Sequence, residues 1–358
     1  MEEKIFANAI NHVPEFGPKS LARVREHFSS FQNAWLASPN RYTEIPKLEK
    51  KALESLEKIK KEFDPASEYA KLEKNGIKVL LRDELPESLR ETPAPPEVLY
   101  VKGTLPDPNL HYLAVVGTRR YSTYGKEATI NIIDGLAGQN FVIVSGLARG
   151  IDSFAHETAI NNKLLTVAVL GSGLSPDVLF PKENKRLAEK IAEEGGAVIS
   201  EYPYEMKANV NTFPQRNRIV AGLCKTIFVV EAKEKSGALI TARFAIDYNR
   251  DLAALPGSVF QENSKGPNGL IKQGAYPVTA SIDILNLFGI ESENSASFAE
   301  ELSPMEKKIL EEMDAPILKE VLIQKLGLAP AEIIPTLTLL EMRGIIKDHG
   351  GEIMRVKI

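Results

Sequence analysis

Between residues 112 and 256, short runs of apolar residues alternate with amphipathic segments. The runs are continuous stretches of Val, Ile, Leu and Ala, which is typical of strands that are covered on both faces. Alternation of such strands with helices predicts an α/β fold with a doubly wound, mostly parallel sheet and right-handed crossovers. The predicted strands are Leu113–Val116, Phe141–Val144, Thr166–Leu170, Ala197–Ser200, Thr226–Val230 and Leu252–Leu255.

Segments of different character flank this region. Before it come short helical patterns and then two further predicted strands, Ile77–Leu81 and Val98–Val101. After it come a polar stretch, three helical patterns, the second at Ile317–Leu326, and a final hairpin, which together have the outline of a winged helix. The predicted organisation is a small all-α domain at 1–64, the sheet domain at 65–290, a linker at 291–303 and a winged helix at 304–358.

Composition excludes several classes of protein. The single cysteine, Cys224, rules out a disulfide framework and a thiolate zinc site. The five histidines have no metal-ligand spacing, so we expect neither a metal nor another cofactor. The N-terminus lacks the order of a secretory signal, and no apolar run is long enough to span a membrane. We therefore expect a cytoplasmic protein.

Glycines and polar or basic residues recur where the predicted strands end. The first strand leads into Gly117-Thr118-Arg119, the second into Ser145–Gly150, and the fifth is followed by Lys235-Ser236. Ligands of an open parallel sheet bind outside the carboxyl ends of its strands, so these segments share one rim. Glycines allow close approach, and exposed N–H groups at a helix start bind anions. The rim is therefore predicted to hold a phosphate-bearing ligand.

A second motif precedes the fifth strand, at Phe213–Arg218. Its arginines can hold phosphate, its asparagine can bond base edges and its phenylalanine can stack on a base. This combination favours single-stranded DNA as the ligand. From the residues themselves, the candidate DNA or phosphate contacts are Gly117, Thr118, Arg119, Ser145, Gly146, Arg149, Gly150, Phe213, Arg216, Asn217, Arg218, Lys235 and Ser236.

Structural roles compete with functional ones at several positions. We expect His156 to be a satisfied helix residue and Asp152 to cap or pair locally. The dinucleotide fingerprint and the ATP-binding phosphate loop are both missing, which argues against those ligands. No nucleophile and base share a recognisable local signature, so no catalytic residue is predicted.

Read together, these segments resemble the DNA-processing protein A family (DprA, also called Smf). The resemblance covers nearly all of residues 112–280, in the family's order. Its most specific motifs are SGLARGID at 145–152 and FPQRNR at 213–218. The other matching stretches are AVVGTRRYSTYG, TVAVLGSGL, ISEYP, VVEAKEKSGALITARFA and ALPGS.

The resemblance implies an extended Rossmann-like fold, a sterile-alpha-motif-like (SAM-like) N-terminal domain and a C-terminal winged helix. It implies a non-enzymatic protein that binds and protects incoming single-stranded DNA, loads the recombinase RecA onto it during natural transformation, and forms a homodimer through the Rossmann-like domain. The implied contacts are Arg119, Phe213 and the loop Ser145–Gly150. Some relatives carry a lysine three residues before the motif phenylalanine; here Val210 stands there, and nearby Lys207 is the candidate replacement.

Two other functions compete with DNA binding. A phosphoribohydrolase of the nucleotide-binding Rossmann type would use glycine-rich strand exits and a carboxylate, for which Glu201 or Glu231 is available. Such enzymes carry a P-G-G-x-G-T loop, whereas this chain has only Pro256-Gly257-Ser258. A protein-interaction scaffold is the third possibility, favoured by the acidic character of the predicted winged helix.

Overall fold

The computed structural model describes residues 1–290, 303–313, 315–342, 345–349 and 351–355. The chain divides into two compact units, Met1–Ile290 and Glu291–Ile358. Except for Ser303, the predicted linker at 291–303 lies outside the described residues. The domain boundaries drawn from the sequence stay predictions.

A nine-stranded sheet organises the first unit, in the order β1-β2-β6-β5-β4-β3-β7-β8-β9. The strands from β3 to β9 are parallel to one another, while β2 pairs antiparallel with β6 and β1 pairs antiparallel with β2. The predicted mostly parallel sheet is thus confirmed. The strands are β1 Ile77–Leu81, β2 Val98–Gly103, β3 His111–Val116, β4 Phe141–Ser145, β5 Leu165–Val169, β6 Ala197–Ser200, β7 Thr226–Val229, β8 Asp251–Ala254 and β9 Tyr276–Pro277.

Helices connect the parallel strands and cover both faces of the sheet. They include α8 Thr123–Asp134, α9 Ile151–Asn161, α10 Lys185–Glu193, α11 Thr212–Leu223, α12 Gly237–Asp247, α13 Lys265–Lys272 and α14 Ser281–Phe288. The helices before β3 are α1 Glu2–Asn11, α2 Pro18–Phe28, α3 Phe31–Leu36, α4 Pro39–Tyr42, α5 Lys50–Glu62, α6 Pro65–Lys74 and α7 Glu87–Arg90.

Strand β4 shows why its sequence is apolar without alternation. Val142 and Val144 belong to the core on one face of the sheet, while Phe141 and Ile143 belong to the core on the other. Successive side chains of a strand point to opposite faces, so two cores require an apolar residue at every position. Each fully buried side chain of this size contributes about 1.5–3 kcal/mol.

The N-terminal helices pack on the antiparallel extension of the sheet. Tyr42 and Leu72 share one apolar cluster with Val98 and Tyr100 of β2. The Tyr100 hydroxyl donates to Asn8 Oδ1 at 2.8 Å and accepts from Asn11 Nδ2 at 3.1 Å. Helix α1 is therefore joined to β2 by a buried polar network as well as by apolar contact.

The second unit contains three helices and a small sheet within its described residues. The helices are α15 Pro304–Glu311, α16 Lys319–Leu326 and α17 Pro330–Met342, and the strands are β10 Ile317–Leu318, β11 Ile346–His349 and β12 Glu352–Arg355, in the order β10-β12-β11. The predicted hairpin is confirmed by the antiparallel pairing of β11 with β12. The prediction that a helix begins at Ile317 is wrong, because Ile317 pairs with Ile353 as a strand residue.

No helix within the described ranges is long and apolar enough to cross a membrane.

Candidate functional site

The loops after β3 and β7 meet at the point of the sheet where the strand order reverses. Strand β3 lies between β4 and β7, so the connections leave it toward opposite sides and open a crevice at their carboxyl ends. The Thr118 N–H donates to the Glu231 carbonyl at 2.8 Å and joins the two loops. A cavity of about 350 Å³ opens here, lined by Gly117, Thr118, Arg119 and residues of α11 and α12. We call it the switch cavity.

Helix α9 begins at this crevice from a tightly constrained loop. Gly150 has φ +84°, and a Cβ there would lie 2.5 Å from the Thr118 carbonyl oxygen, so only glycine fits. The Asp152 carboxylate accepts from the N–H groups of Gly146 at 3.1 Å and Ala148 at 3.4 Å. Burial raises the pKa of Asp152, against the opposing effect of Arg216. Asp152 therefore holds the loop, the local role expected from the sequence.

A buried arginine lies beneath the loops. Arg216 is 5% exposed, and its Nη1 donates to the Gly146 carbonyl at 2.7 Å and to the Val169 carbonyl. Burial lowers the pKa of Arg216 to about 10, which leaves it cationic at neutral pH. No carboxylate of the described residues lies within salt-bridge distance of this guanidinium. Its charge therefore contributes positive potential to the crevice, where the effective dielectric constant is low.

Arg119 and two aromatic rings border a second cavity next to the first. The Arg119 guanidinium carbon lies 5.4 Å from the centroid of the Phe213 ring. The Phe180 ring also lies next to Phe213, with 5.7 Å between centroids and 56° between planes. Arg119, Arg120, Arg149, Phe180 and Phe213 all line this cavity of about 260 Å³, which we call the aromatic cavity.

The structure brings most of the predicted site residues together. Those that line the switch cavity are Gly117, Thr118, Arg119, Gly146, Phe213, Arg216, Asn217 and Ser236. Arg149 lines the aromatic cavity, where its Nη2 also pairs with Glu183 at the surface. Ser236 caps α12 by accepting from the Ala238 N–H at 3.4 Å, and Asn217 Nδ2 donates to the Gly237 carbonyl at 3.1 Å.

The remaining predicted contacts line neither cavity; they are Ser145, Gly150, Lys207, Arg218 and Lys235. The Ser145 hydroxyl is fully buried and donates to the Val115 carbonyl at 2.6 Å. Lys207 and Lys235 are exposed on loops outside the cavities.

Arg218 points into the protein. It is 6% exposed and forms a charge pair with Glu201, which is 8% exposed. Burial raises the pKa of Glu201, against the opposing effect of Arg218. The pair brings two buried opposite charges together, although Arg218 Nη1 and Glu201 Oε1 have no hydrogen-bond partner among the described residues.

Sequence reasoning missed Phe180 and left Arg120 out of the predicted set. Arg120 follows Arg119 directly and is exposed beside it, so its position in the motif was the available signal. Phe180 lies in the long connection after β5, which has no periodicity. No sequence signal distinguished Phe180 from an ordinary loop residue.

A larger cavity lies elsewhere and has the wrong charge for phosphate. It measures about 830 Å³ and lies between the N-terminal helices and the loop after β6. Its lining includes Glu15, Glu68, Glu97, Glu201 and Glu205, against the single lysine Lys71. By charge, the larger cavity is therefore less suited to an anion than the two smaller, arginine-lined cavities.

Metal-ligand geometry is not found in the described ranges. No group of three or more His, Cys, Asp or Glu residues there could hold a metal ion. The carboxylate of Glu231 is 3% exposed and accepts from the Ser122 N–H at 2.9 Å and from Asn263 Nδ2 at 3.3 Å. Glu231 therefore joins three loops beneath the rim.

Comparisons of sequence and of structure with known proteins both match this chain to the same family. The family model for DNA recombination-mediator protein A matches residues 77–289. The Smf protein of Synechocystis is 36% identical over 293 residues, which cover 80% of this chain and 73% of that protein. An X-ray structure of DNA processing protein A from Streptococcus pneumoniae superposes with a TM-score of 0.67 at 33% identity, covering 80% of this chain and 97% of that one.

A second solved structure is DNA processing protein A from Helicobacter pylori, described for its single-stranded DNA binding mode. It superposes with a TM-score of 0.53 at 29% identity, covering 59% of this chain and 95% of that one. The family model spans more than half of the chain and includes all nine strands of the sheet in the first unit. The chain therefore belongs to the DNA recombination-mediator protein A family.

Proposed function

We propose that this protein binds single-stranded DNA at the rim formed by the switch cavity and the aromatic cavity. The observation that carries the proposal is the pairing of positive charge with an accessible ring: Arg119 lies over Phe213, and buried Arg216 lines both cavities with them. Arginine holds phosphate, and an aromatic ring stacks on any base. The similarity to the Helicobacter pylori protein supports the same ligand.

Helix geometry adds to the attraction for phosphate. Helices α9 and α12 are each eleven residues long and both begin at the rim, so the positive ends of their dipoles lie close to the switch cavity. Asp152 is the acidic residue lining that cavity, and its oxygens are engaged by loop N–H groups. The electrostatic balance of the rim therefore favours an anion.

We propose further that the role is not catalytic. The two carboxylates available to a phosphoribohydrolase are Glu201, which pairs with Arg218, and Glu231, which accepts from Ser122 and Asn263. Neither lines the switch cavity or the aromatic cavity. Without a carboxylate free to act on a bound nucleotide, the geometry favours a binding protein over a hydrolase.

The family resemblance supports a wider role. We propose that the protein is cytoplasmic, protects incoming DNA, loads RecA onto it in natural transformation and acts as a homodimer. We propose residues 266–279 as the dimer segment; there Leu270 and Val278 are buried, whereas Tyr276 on the edge strand β9 is 46% exposed. We propose that the N-terminal helices are the SAM-like domain, that residues 291–303 are a linker and that the second unit is an acidic winged helix.

Affinity measurements on single- and double-stranded DNA test the binding proposal. Affinities for a single-stranded oligonucleotide and its duplex are measured by fluorescence anisotropy at about 0.15 M salt, and nucleoside monophosphate hydrolysis is assayed on the same preparation. Binding should favour the single strand and weaken as salt rises, because counterions are released. Equal affinity for both forms, or turnover of the nucleotide, would overturn the proposal.

A further inference from the structure

We propose that the aromatic cavity is a second base pocket, in which Phe180 stacks on a nucleobase adjacent to the one held by Phe213. This inference rests on the proposed binding of single-stranded DNA and adds a residue that the sequence motifs do not contain. The ligand of the pocket is one unpaired base of the strand, with its phosphates on the surrounding arginines.

The position of Phe180 is fixed by its neighbours. Leu179 is 7% exposed and Pro181 is buried, yet Phe180 between them is 43% exposed. Just beyond, Asn184 Nδ2 donates to the Leu147 carbonyl and to Ser153 Oγ, both at 2.8 Å, and so ties this loop to the start of α9. The ring is therefore held at the rim by anchored residues on both sides.

The two rings are arranged to receive separate bases. Their centroids are 5.7 Å apart and their planes meet at 56°, so they do not cover each other face to face. The cavity between them and the arginines measures about 260 Å³, just below the usual range of about 300–1,000 Å³ for small-ligand pockets. Space of this size suits a single base.

Charge around the pocket matches a DNA backbone. Arg119, Arg120, Arg149 and Arg216 line it, and no acidic residue is among the described residues that do so. The Arg149–Glu183 pair is solvent-exposed, with both side chains 60% accessible, so a phosphate can replace Glu183 at little cost. The pocket thus joins an apolar stacking face to cationic groups on its border, as in other single-strand sites.

An abasic scan measures how many bases the protein senses. A short oligothymidylate is synthesised with one abasic site moved through every position, and each version is titrated against the wild-type protein, Phe180→Ala, Phe213→Ala and Phe260→Ala. Phe260 is the matched control, because its ring is 93% exposed and lines neither cavity.

Two sensitive positions are expected for the wild-type protein, one for each ring. Phe180→Ala should weaken binding of the intact strand by about 5- to 150-fold, which is the usual contribution of one stacked base. It should also abolish the penalty at one abasic position and keep the penalty at the other. Phe213→Ala should do the reverse, and Phe260→Ala should match the wild type.

Other outcomes overturn the inference in distinguishable ways. A single sensitive position in the wild type, or loss of the same position in both variants, would mean that Phe180 only supports Phe213. If Phe180→Ala melts early, Phe180→Leu replaces it, since it keeps apolar volume without a stacking face. A wild type that binds no single-stranded DNA would instead remove the proposed function itself.

Discussion

Arg119 and Phe213 lie 94 positions apart in the sequence and meet with 5.4 Å between the guanidinium carbon and the ring centroid. One residue follows β3, and the other is at the start of α11, before β7. The contact places a cation and an exposed part of an aromatic ring on the border of both cavities. We expect Arg119 to hold a phosphate and Phe213 to stack on a base, so substituting each residue should affect binding in a different way.

Arg119→Ala should weaken binding of every single-stranded sequence. The substitution removes one phosphate contact, so the slope of log affinity against log salt should fall in magnitude by about one unit or less. Titrations at several salt concentrations measure the slope. Lys190→Ala is the control, because Lys190 is an exposed residue in the last turn of α10, at the opposite edge of the sheet. An unchanged slope in Arg119→Ala would contradict a phosphate contact.

Phe213→Ala should cost about 1–3 kcal/mol of binding free energy and leave the salt slope nearly unchanged, because stacking releases no counterions. The melting temperature must be measured on the same sample, since a core role would lower both quantities together. Gly171→Ala gives an independent check: a Cβ at Gly171 would lie 2.8 Å from Phe213 Cδ1 and displace the ring without removing it. Wild-type affinity in both variants would refute the stacking role.

Arg218→Ala should destabilise the fold and leave the affinity of the folded protein unchanged. Removing one partner of a buried ion pair costs about 3–5 kcal/mol, because the Glu201 carboxylate stays buried without its counterion. Denaturant unfolding measures the loss. A drop in DNA affinity under conditions where the variant remains fully folded would place Arg218 among the ligand contacts, as the sequence motif predicted.

Because His156 is buried in the folded protein, the free energy of unfolding should fall as the pH is lowered into mild acid. Its Nδ1 is 2.7 Å from Thr166 Oγ1, its Nε2 is buried without a hydrogen-bond partner in the described residues, and burial lowers its pKa from 6.5 to about 3. Between these two values the unfolded chain binds a proton that the folded chain does not, so the free energy of unfolding falls as pH falls.

The expected loss from His156 between pH 7 and pH 5 is about 2 kcal/mol. The His156→Gln variant lacks this protonation, whereas every other titratable group of the protein is still present. The difference in unfolding free energy between wild type and variant should therefore shrink by that amount at pH 5. A difference that stays constant across this interval would show that His156 is protonated in the folded protein.

The sheet was predictable from sequence because burial on both faces imposes apolar residues at every strand position, as at Phe141–Val144. The position of the rim was predictable because the carboxyl ends of parallel strands lie at the same edge of a sheet. Arg119, Phe213 and Ser236 do line one cavity there. These inferences used local pattern and topology alone.

Side-chain direction was not predictable in the same way. Arg216 and Arg218 lie two residues apart in one helix and both turn inward, because Arg216 bonds to carbonyl groups at the carboxyl ends of β4 and β5 while Arg218 pairs with Glu201. Partners so distant in sequence leave no local signal. Phe180 was missed for a related reason: its exposure depends on how its buried neighbours fix a loop without periodicity.

Tyr100 gives the N-terminal helices a part in the integrity of the sheet. Its side chain is fully buried, and its hydroxyl is bonded to Asn8 and Asn11 of α1. A fragment starting at Ile77 would keep every strand but would lose those partners and expose the apolar face around Val98 to water. Such a fragment should self-associate through this exposed apolar face. Expression, domain exchange or fusion should therefore keep the N-terminal helices and the sheet together in one polypeptide.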